Sequence, residues 1–500
     1  MMKAARSSPI FLFLLPIFFV FHGFVENMGF IRFTDCLPLM GIYLLAATAL
    51  YLIFLLFLKK PDKAALAAFY PLSFYFFFGS LHDFLRHHSI FLHRYSIILP
   101  IFGVSALCWI LWLRKKTSLP KLVFFLNGLL ILYLIVDGLA GVWKAARPGL
   151  SPRATASQLS KSYQGCDTCS RPDIYLLIFD EYAATRTLRD VYGYDNSPLD
   201  SFLRGQGFHQ PLYSRSNYNI TPFSMASILN LSYLEEIPPS LEVQPDDYAN
   251  MLDRIRNSEV VDFLAAKGYT IINNSPFDLP GHLCSVEQPF IPVKTSLITR
   301  RTLLNYIIRD LGDWIALHIH DASEVVSGDI TSIHKMNTGF LTATREESSR
   351  SSDRPRFVYM HVLMPHIPFM FDSSLHQRSL PDIKRHFQQN DPADYLGYLP
   401  YTNACIRELI TGIKRNSGGR AVILFGSDHG FRYSSREKPN EPSYFNNQNA
   451  VYFPDRDYSL FYDSITGVNQ FRVVFNKLFH LNLPLLKDST LFLRDKGPGW

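Results

Sequence analysis

Five apolar runs constrain this chain more than any other feature: residues 10–25, 37–58, 64–81, 96–113 and 122–143. A helix spans a bilayer with about 18–20 apolar residues, and most of these runs approach or exceed that length. In lipid a backbone must satisfy its own hydrogen bonds, so such runs can only be helices packed in a bundle. The first run is the shortest, and a signal-peptide core is its alternative. No small-residue cleavage pattern follows it and four further runs do, so it reads as a span. Lys3 and Arg6 precede the first run. Lys59, Lys60 and Lys63 follow the second, and Arg114, Lys115, Lys116 and Lys121 follow the fourth. The alternate loops hold only Arg32, or Arg86 and Arg94. This bias predicts a cytoplasmic N-terminus, five crossings, and everything after Trp143 on the outer side.

At 500 residues, the chain is expected to hold two or three domains. A helical region over 1–146 is followed by a linker over 147–171, rich in Ser, Ala, Thr and Lys with Pro148, Gly149 and Pro152, and then by one block over 172–500. The loop over 82–95 carries several histidines with Arg86 and Arg94. It reads as an interfacial loop touching head groups, with capture of a lipid phosphate as the alternative. The net charge of +6 is modest and not gathered in one patch, which excludes a nucleic-acid footprint. Outside the membrane region stand Cys166, Cys169, Cys284 and Cys405. In an oxidising compartment a structural disulfide at the Cys166/Cys169 pair is the better reading than zinc, although spacing alone does not give connectivity.

In the C-terminal block, strand-like and helix-like segments alternate. IYLLIF (174–179), 269–273, 357–362 and AVILF (421–425) read as strands, and 223–229, 260–266 and 405–414 as helices. Uninterrupted apolar strands are buried on both faces, so the block predicts an α/β sandwich with a mostly parallel central sheet, preceded by an all-α membrane bundle. Ligands of such sheets bind beyond the carboxyl ends of the strands.

Four sites there carry chemistry. Asp180 and Glu181 end the first strand with two hard oxygen donors suited to a divalent cation. Thr221 precedes a helical run, where the dipole and free amides stabilise an alkoxide or a phosphate; taken alone, a Thr before Pro222 is an N-cap. His361 and His366 lie at and beyond a strand end, where imidazoles can meet a metal or a transferred oxyanion. Asp428 and His429, in GSDHG after the last buried strand, are the most specific signal. The two strand ends are expected to meet over one metal.

In this order and spacing the four sites resemble the alkaline phosphatase superfamily in its sulfatase-like branch. With five spans ahead of it, the chain is similar to phosphoethanolamine transferases and lipoteichoic-acid synthases. The resemblance implies an alkaline-phosphatase-like sandwich, metal ligands at Asp180, Glu181, Thr221, Asp428 and His429, a threonine nucleophile at Thr221 with Ser224 three residues on, and His361 and His366 beside the phosphoryl group. The implied cofactor is a divalent metal, zinc or manganese first, with calcium and magnesium open. The implied partners are a membrane lipid donor, a glycan or lipid acceptor and the bilayer. The implied location is a bacterial inner membrane, with the catalytic domain periplasmic or extracellular. Two departures stand out. There is no C-x-P-S-R motif of the kind sulfatases convert to formylglycine, and no histidine follows the Asp-His pair until His480, which leaves Arg432, Arg436 or Lys438 to supply positive charge. The expected activity is transfer of a phosphate-bearing head group of phosphoethanolamine or phosphoglycerol type. Hydrolysis of a phosphodiester or sulfate ester is the alternative, and a non-catalytic binding factor the third reading.

Overall fold

A computed structural model of the chain describes residues 8–28, 31–88, 91–146, 166, 169–235, 237, 240–243, 245–284, 295–308, 323–389, 391–432 and 442–495. The chain divides into two compact units: residues 1–153 with 292–325, and residues 154–291 with 326–500.

The first unit is helical. Its helices are α1 (Phe11–Glu26), α2 (Phe33–Leu58), α3 (Pro61–His88), α4 (Tyr95–Lys115) and α5 (Pro120–Ala146). Four of them, α2 to α5, are long and apolar enough to cross a membrane, and α1 is shorter. Helix α1 packs on α5 and α2, α2 on α3, and α3 on α4. Pro16, Pro38, Pro71 and Pro100 lie inside helices, which a bundle tolerates when neighbours re-satisfy the freed backbone groups. Leu56, Val104 and Leu139 are exposed on their helices; large apolar side chains standing outward suit lipid, not water. The third run, short in the sequence, is a helix of 28 residues. It takes in the first half of the 82–95 stretch read as a loop: His82 is buried against Phe78, Tyr95 and Tyr306. The side chain of Arg86 lies outside the described residues.

A later stretch of chain returns to this unit. Leu297 and Ile298 join its core with Phe11, Leu66 and Phe76. Gly79 N–H donates to the Arg301 carbonyl oxygen at 2.9 Å and Tyr306 donates to Asp83 at 3.0 Å. Two glycines make the approach possible: a Cβ on Gly23 would lie 2.7 Å from Ile298, and one on Gly79 would lie 2.7 Å from the Arg301 carbonyl oxygen.

The second unit holds the strands β1 (Ile174–Phe179), β2 (Glu242–Val243), β3 (Thr270–Asn274), β4 (Arg356–Val362), β5 (Val422–Gly426), β6 (Asn449–Tyr452) and β7 (Arg494–Asp495). Five form one sheet in the order β3-β4-β1-β5-β6, while β2 and β7 pair separately. β3, β4, β1 and β5 are parallel and β6 closes the edge antiparallel, so the mostly parallel α/β architecture expected of this block is the one found. The first strand in sequence is central, and every residue of β1, β4 and β5 is buried. This is why those strands read as unbroken apolar runs instead of alternating ones. Ile174, Leu176 and Ile178 feed a core shared with Phe223, Val260, Phe263, Phe471 and Phe475 of the covering helices. Strand register places Ile178 opposite both His361 and Gly426. The carboxyl ends of the three central strands are therefore level. Cys166 and Cys169 form a disulfide, whereas Cys284 and Cys405 are not disulfide-bonded.

Candidate active site

Chain leaving β1 makes one more ladder bond, Asp180 N–H to the Val362 carbonyl oxygen at 3.0 Å, and then turns sharply at Glu181, φ +63°. A left-handed backbone is costly for a residue with a Cβ. Here it is held from three sides. The Tyr395 hydroxyl accepts Ala183 N–H and donates to the Glu181 carbonyl oxygen, both at 3.0 Å. Tyr182 N–H donates to Ser427 Oγ at 2.8 Å, and Glu181 N–H to Asp428 Oδ1 at 3.1 Å. The turn after β1 is thus tied to the turn after β5, and the two acid-bearing strand ends meet, as expected.

Asp180, Asp428 and His429 converge, with one ligand atom from each lying within 4.8 Å of the others. Asp180 is 2% exposed and the other two are fully buried. His429 Nδ1 pairs with the Gly430 carbonyl oxygen at 2.8 Å. A carbonyl oxygen only accepts, so Nδ1 carries the proton and Nε2 presents a lone pair. That lone pair faces Asp428 Oδ2 at 3.2 Å and Thr221 Oγ1 at 3.2 Å. Among the described residues, Asp180 Oδ1, Asp428 Oδ2 and His361 Nε2 are buried without a hydrogen-bond partner. The two carboxylate oxygens only accept, and buried acceptors that face one another cost several kcal/mol unless a cation sits among them, so the donor set fits a divalent metal. Two carboxylates, one imidazole and the Thr221 hydroxyl are the donors at hand.

Thr221 is the first residue of the helix Thr221–Asn230, and Ile220 takes the N-cap position. Its hydroxyl is therefore not an N-cap group and points at His429. Ser224, one turn on, donates to the Asp428 carbonyl oxygen at 2.6 Å and locks the helix to the turn that carries Asp428 and His429. His361 is fully buried, with Nδ1 2.9 Å from the Tyr359 hydroxyl and Nε2 3.5 Å from Asp180 Oδ2. His366 lies between the Met364–Pro365 and Ile367–Pro368 peptide bonds, both cis. Its Nδ1 donates to the Ile367 carbonyl oxygen at 2.6 Å and its Nε2 stands 3.6 Å from Glu181 Oε2.

Glu181 is placed apart from the converging trio. Its Oε1 accepts the Arg432 backbone N–H at 3.0 Å and the Arg432 Nε–H at 3.1 Å. Burial raises the Glu181 carboxyl, and Arg432 and His366 together pull it below the ordinary carboxylate range. Asp428 is likewise raised by burial and brought lower overall by His429 and His361. The sequence already pointed to Arg432; Arg436 and Lys438 lie outside the described residues. Sequence reading missed Tyr395 and Asn337. The Asn337 amide exchanges two hydrogen bonds with the backbone of Leu363 where β4 ends. Neither residue stands in a motif, and only tertiary packing brings them here. Asn219, within an N-x-T triplet, is buried and paired with both backbone groups of Leu493.

Residues 310–471 match the family model described as Sulfatase. That match covers about a third of the chain, within its C-terminal part. Among solved structures, this chain is similar to the C-terminal periplasmic domain of EcEptC from Escherichia coli, at 11% identity and a TM-score of 0.41, covering 67% of this chain and 92% of that one. It is also similar to the C-terminal periplasmic domain of the phosphoethanolamine transferase EptC from Campylobacter jejuni, at 13% and 0.35, covering 62% and 90%. A third is the 2-O GAG sulfatase BT1596, at 10% and 0.38, covering 64% and 73%. No curated protein matches the chain.

Proposed function

We propose that the sulfatase domain is a membrane-bound, metal-dependent transferase. It would move a phosphate-bearing head group, of phosphoethanolamine or phosphoglycerol type, from a lipid donor to a glycan or lipid acceptor through Thr221. The observation that carries this reading is the Thr221 hydroxyl 3.2 Å from a His429 nitrogen whose partner nitrogen is already committed to a carbonyl oxygen. Asp180, Asp428, His429 and Thr221 would hold the metal. The mix of carboxylate, imidazole and hydroxyl donors suits zinc or manganese. When bound, the metal lowers the pKa of a neighbouring hydroxyl and neutralises charge on the phosphoryl group.

The protein's residues do the rest. The Thr221 hydroxyl loses its proton to water, both His429 nitrogens being committed, and its oxygen forms a bond to phosphorus as the bond from phosphorus to the lipid oxygen breaks. The leaving lipid oxygen takes a proton from His366, which is partly exposed at the rim. In the second half the acceptor hydroxyl attacks the phospho-threonine and gives its proton back to His366, and the Thr221 oxygen leaves phosphorus and regains its proton from water. His361, buried and bonded to Tyr359, orients Asp180 and faces the transferred oxygens. The apolar helices α2 to α5 would hold the enzyme at its lipid substrate. The basic loops support a cytoplasmic N-terminus at an inner membrane with the domain outside, and the Cys166–Cys169 disulfide fits an oxidising compartment. Hydrolysis uses the same residues with water as acceptor. Conversion of the nucleophile to formylglycine has no counterpart at a threonine.

The test is intact mass of the full-length protein after incubation with host lipid, wild type beside Thr221→Ala. A phosphate-bearing adduct is expected on the wild type only. A Thr221→Ala protein that turns over at the wild-type rate ends this reading.

A further inference from the structure

We propose that Arg432 is the second cation of this site: a fixed guanidinium that occupies the place of a second metal and grips the oxygens of the transferred group. The inference rests on the proposed transferase reading and adds a residue and a stoichiometry to it. Three carboxylates, Asp180, Glu181 and Asp428, are buried together, at 2%, 6% and 0% exposure. Buried charge must be balanced locally. Among the described residues, one arginine against three carboxylates leaves two negative charges, which a single divalent cation neutralises and two would overshoot.

Geometry divides the acids the same way. Asp180 and Asp428 converge with His429. The positive φ of Glu181 carries the next carboxylate to Arg432, where Oε1 already accepts two N–H groups of that residue. A divalent ion at Glu181 would displace these bonds and sit against a guanidinium, two like charges at contact distance. Arg432 lies two residues beyond Gly430, on the loop that carries Asp428 and His429, so it faces the reacting group from the strand end that supplies the metal donors. Its side chain is 24% exposed and Glu181 takes only its Nε edge. The planar fork of its Nη atoms suits two oxygens of a phosphoryl group. His366, 3.6 Å from the other Glu181 oxygen, completes a patch where negative charge can collect.

Metal stoichiometry and anion binding test this directly on detergent-solubilised full-length protein. After loading with zinc and gel filtration, elemental analysis should give one zinc per chain in wild type, Arg432→Gln and Arg432→Lys. Titration with inorganic phosphate should show affinity reduced about 10- to 100-fold in Arg432→Gln and by a smaller factor in Arg432→Lys, which keeps the charge and the fold but loses the fork. Two zinc ions per wild-type chain would overturn the inference. Phosphate affinity of Arg432→Lys and Arg432→Gln within twofold of wild type would do the same. One zinc and Arg432-dependent phosphate binding, with no adduct ever formed at Thr221, would uphold this inference and remove the transferase reading. A wild type that takes up no zinc would overturn both.

Discussion

Tyr395→Phe isolates the device that holds the first strand end open toward the metal donors. Tyr395 is fully buried, and its ring stacks on Phe431 at 3.8 Å between centroids. Phenylalanine keeps that stack and removes one oxygen. Two backbone groups then lose their partner, the Ala183 N–H and the Glu181 carbonyl oxygen, each bonded at 3.0 Å in the wild type. A buried polar group left unpaired costs about 1–3 kcal/mol, so the pair costs roughly 2–6 kcal/mol before relaxation and about 2–3 kcal/mol after it. For a domain of this size a kcal/mol lowers the melting temperature by about 2 °C, so a fall of about 5 °C is expected. The Glu181 turn would also slacken, loosening the bond from its N–H to Asp428, and zinc affinity should drop about tenfold, or ~1.4 kcal/mol. Scanning fluorimetry in chelator reads the first effect and a zinc titration the second. A Tyr395→Phe protein that melts within 1 °C of wild type and binds zinc unchanged would refute the clamp.

Gly430→Ala should fail to fold the site, because its Cβ would lie 2.1 Å from the Ser443 carbonyl oxygen and 2.8 Å from that of Asn446, both backbone. Gly103→Ala, with nothing within 4 Å, is the neutral control in the same thermal and zinc-binding assays. Removing metal with a chelator should lower the melting of the C-terminal unit by about 5 °C relative to zinc at 100 times its Kd, a linkage of ~2.7 kcal/mol. Asp180→Asn should erase that difference; a shift of wild-type size in Asp180→Asn would place the metal elsewhere. Burial first, with Glu259 beside it, raises the Asp262 carboxyl to about 7. A raised carboxyl keeps its proton in the folded protein while the unfolded chain loses it, so stability falls as pH rises from about 4 to about 7. Asp262→Asn should flatten that decline, read as melting temperature at pH 5 and pH 8; an unchanged slope would refute the assignment.

Most of the architecture was legible because burial writes itself into composition. β1, β4 and β5 are covered on both faces, so they stand out as unbroken apolar runs, and the residues just past them, Asp180 and Asp428, stand out as abrupt charge. Boundaries moved by a residue where strands ended, and further where helices did. The segment 405–414 proved to be the end of a helix from Pro392 to Asn416, whose first turns carry Tyr395 and have no clean apolar stripe. The 82–95 stretch read as a loop because its histidines and arginines mask the continuation of α3. The return of Leu297, Ile298 and Arg301 to the helical unit left no trace in hydropathy, since the segment is short and its fit depends on two glycines far away in sequence.

By itself the sequence determined that the N-terminal part is helical and apolar enough for a membrane and that the rest is α/β, and it singled out seven candidate residues for chemistry. These conclusions come from local patterns: run length, the charge of loops, and polar residues after buried strands. The tertiary structure decided how those residues divide. It directed Thr221 to His429 and took the N-cap role from it, separated Glu181 from Asp180 through one left-handed residue, and gave Glu181 to Arg432 251 positions away. That division depends on strand register and on a few hydrogen bonds between distant turns, and neither is encoded in the neighbourhood of the residues they position.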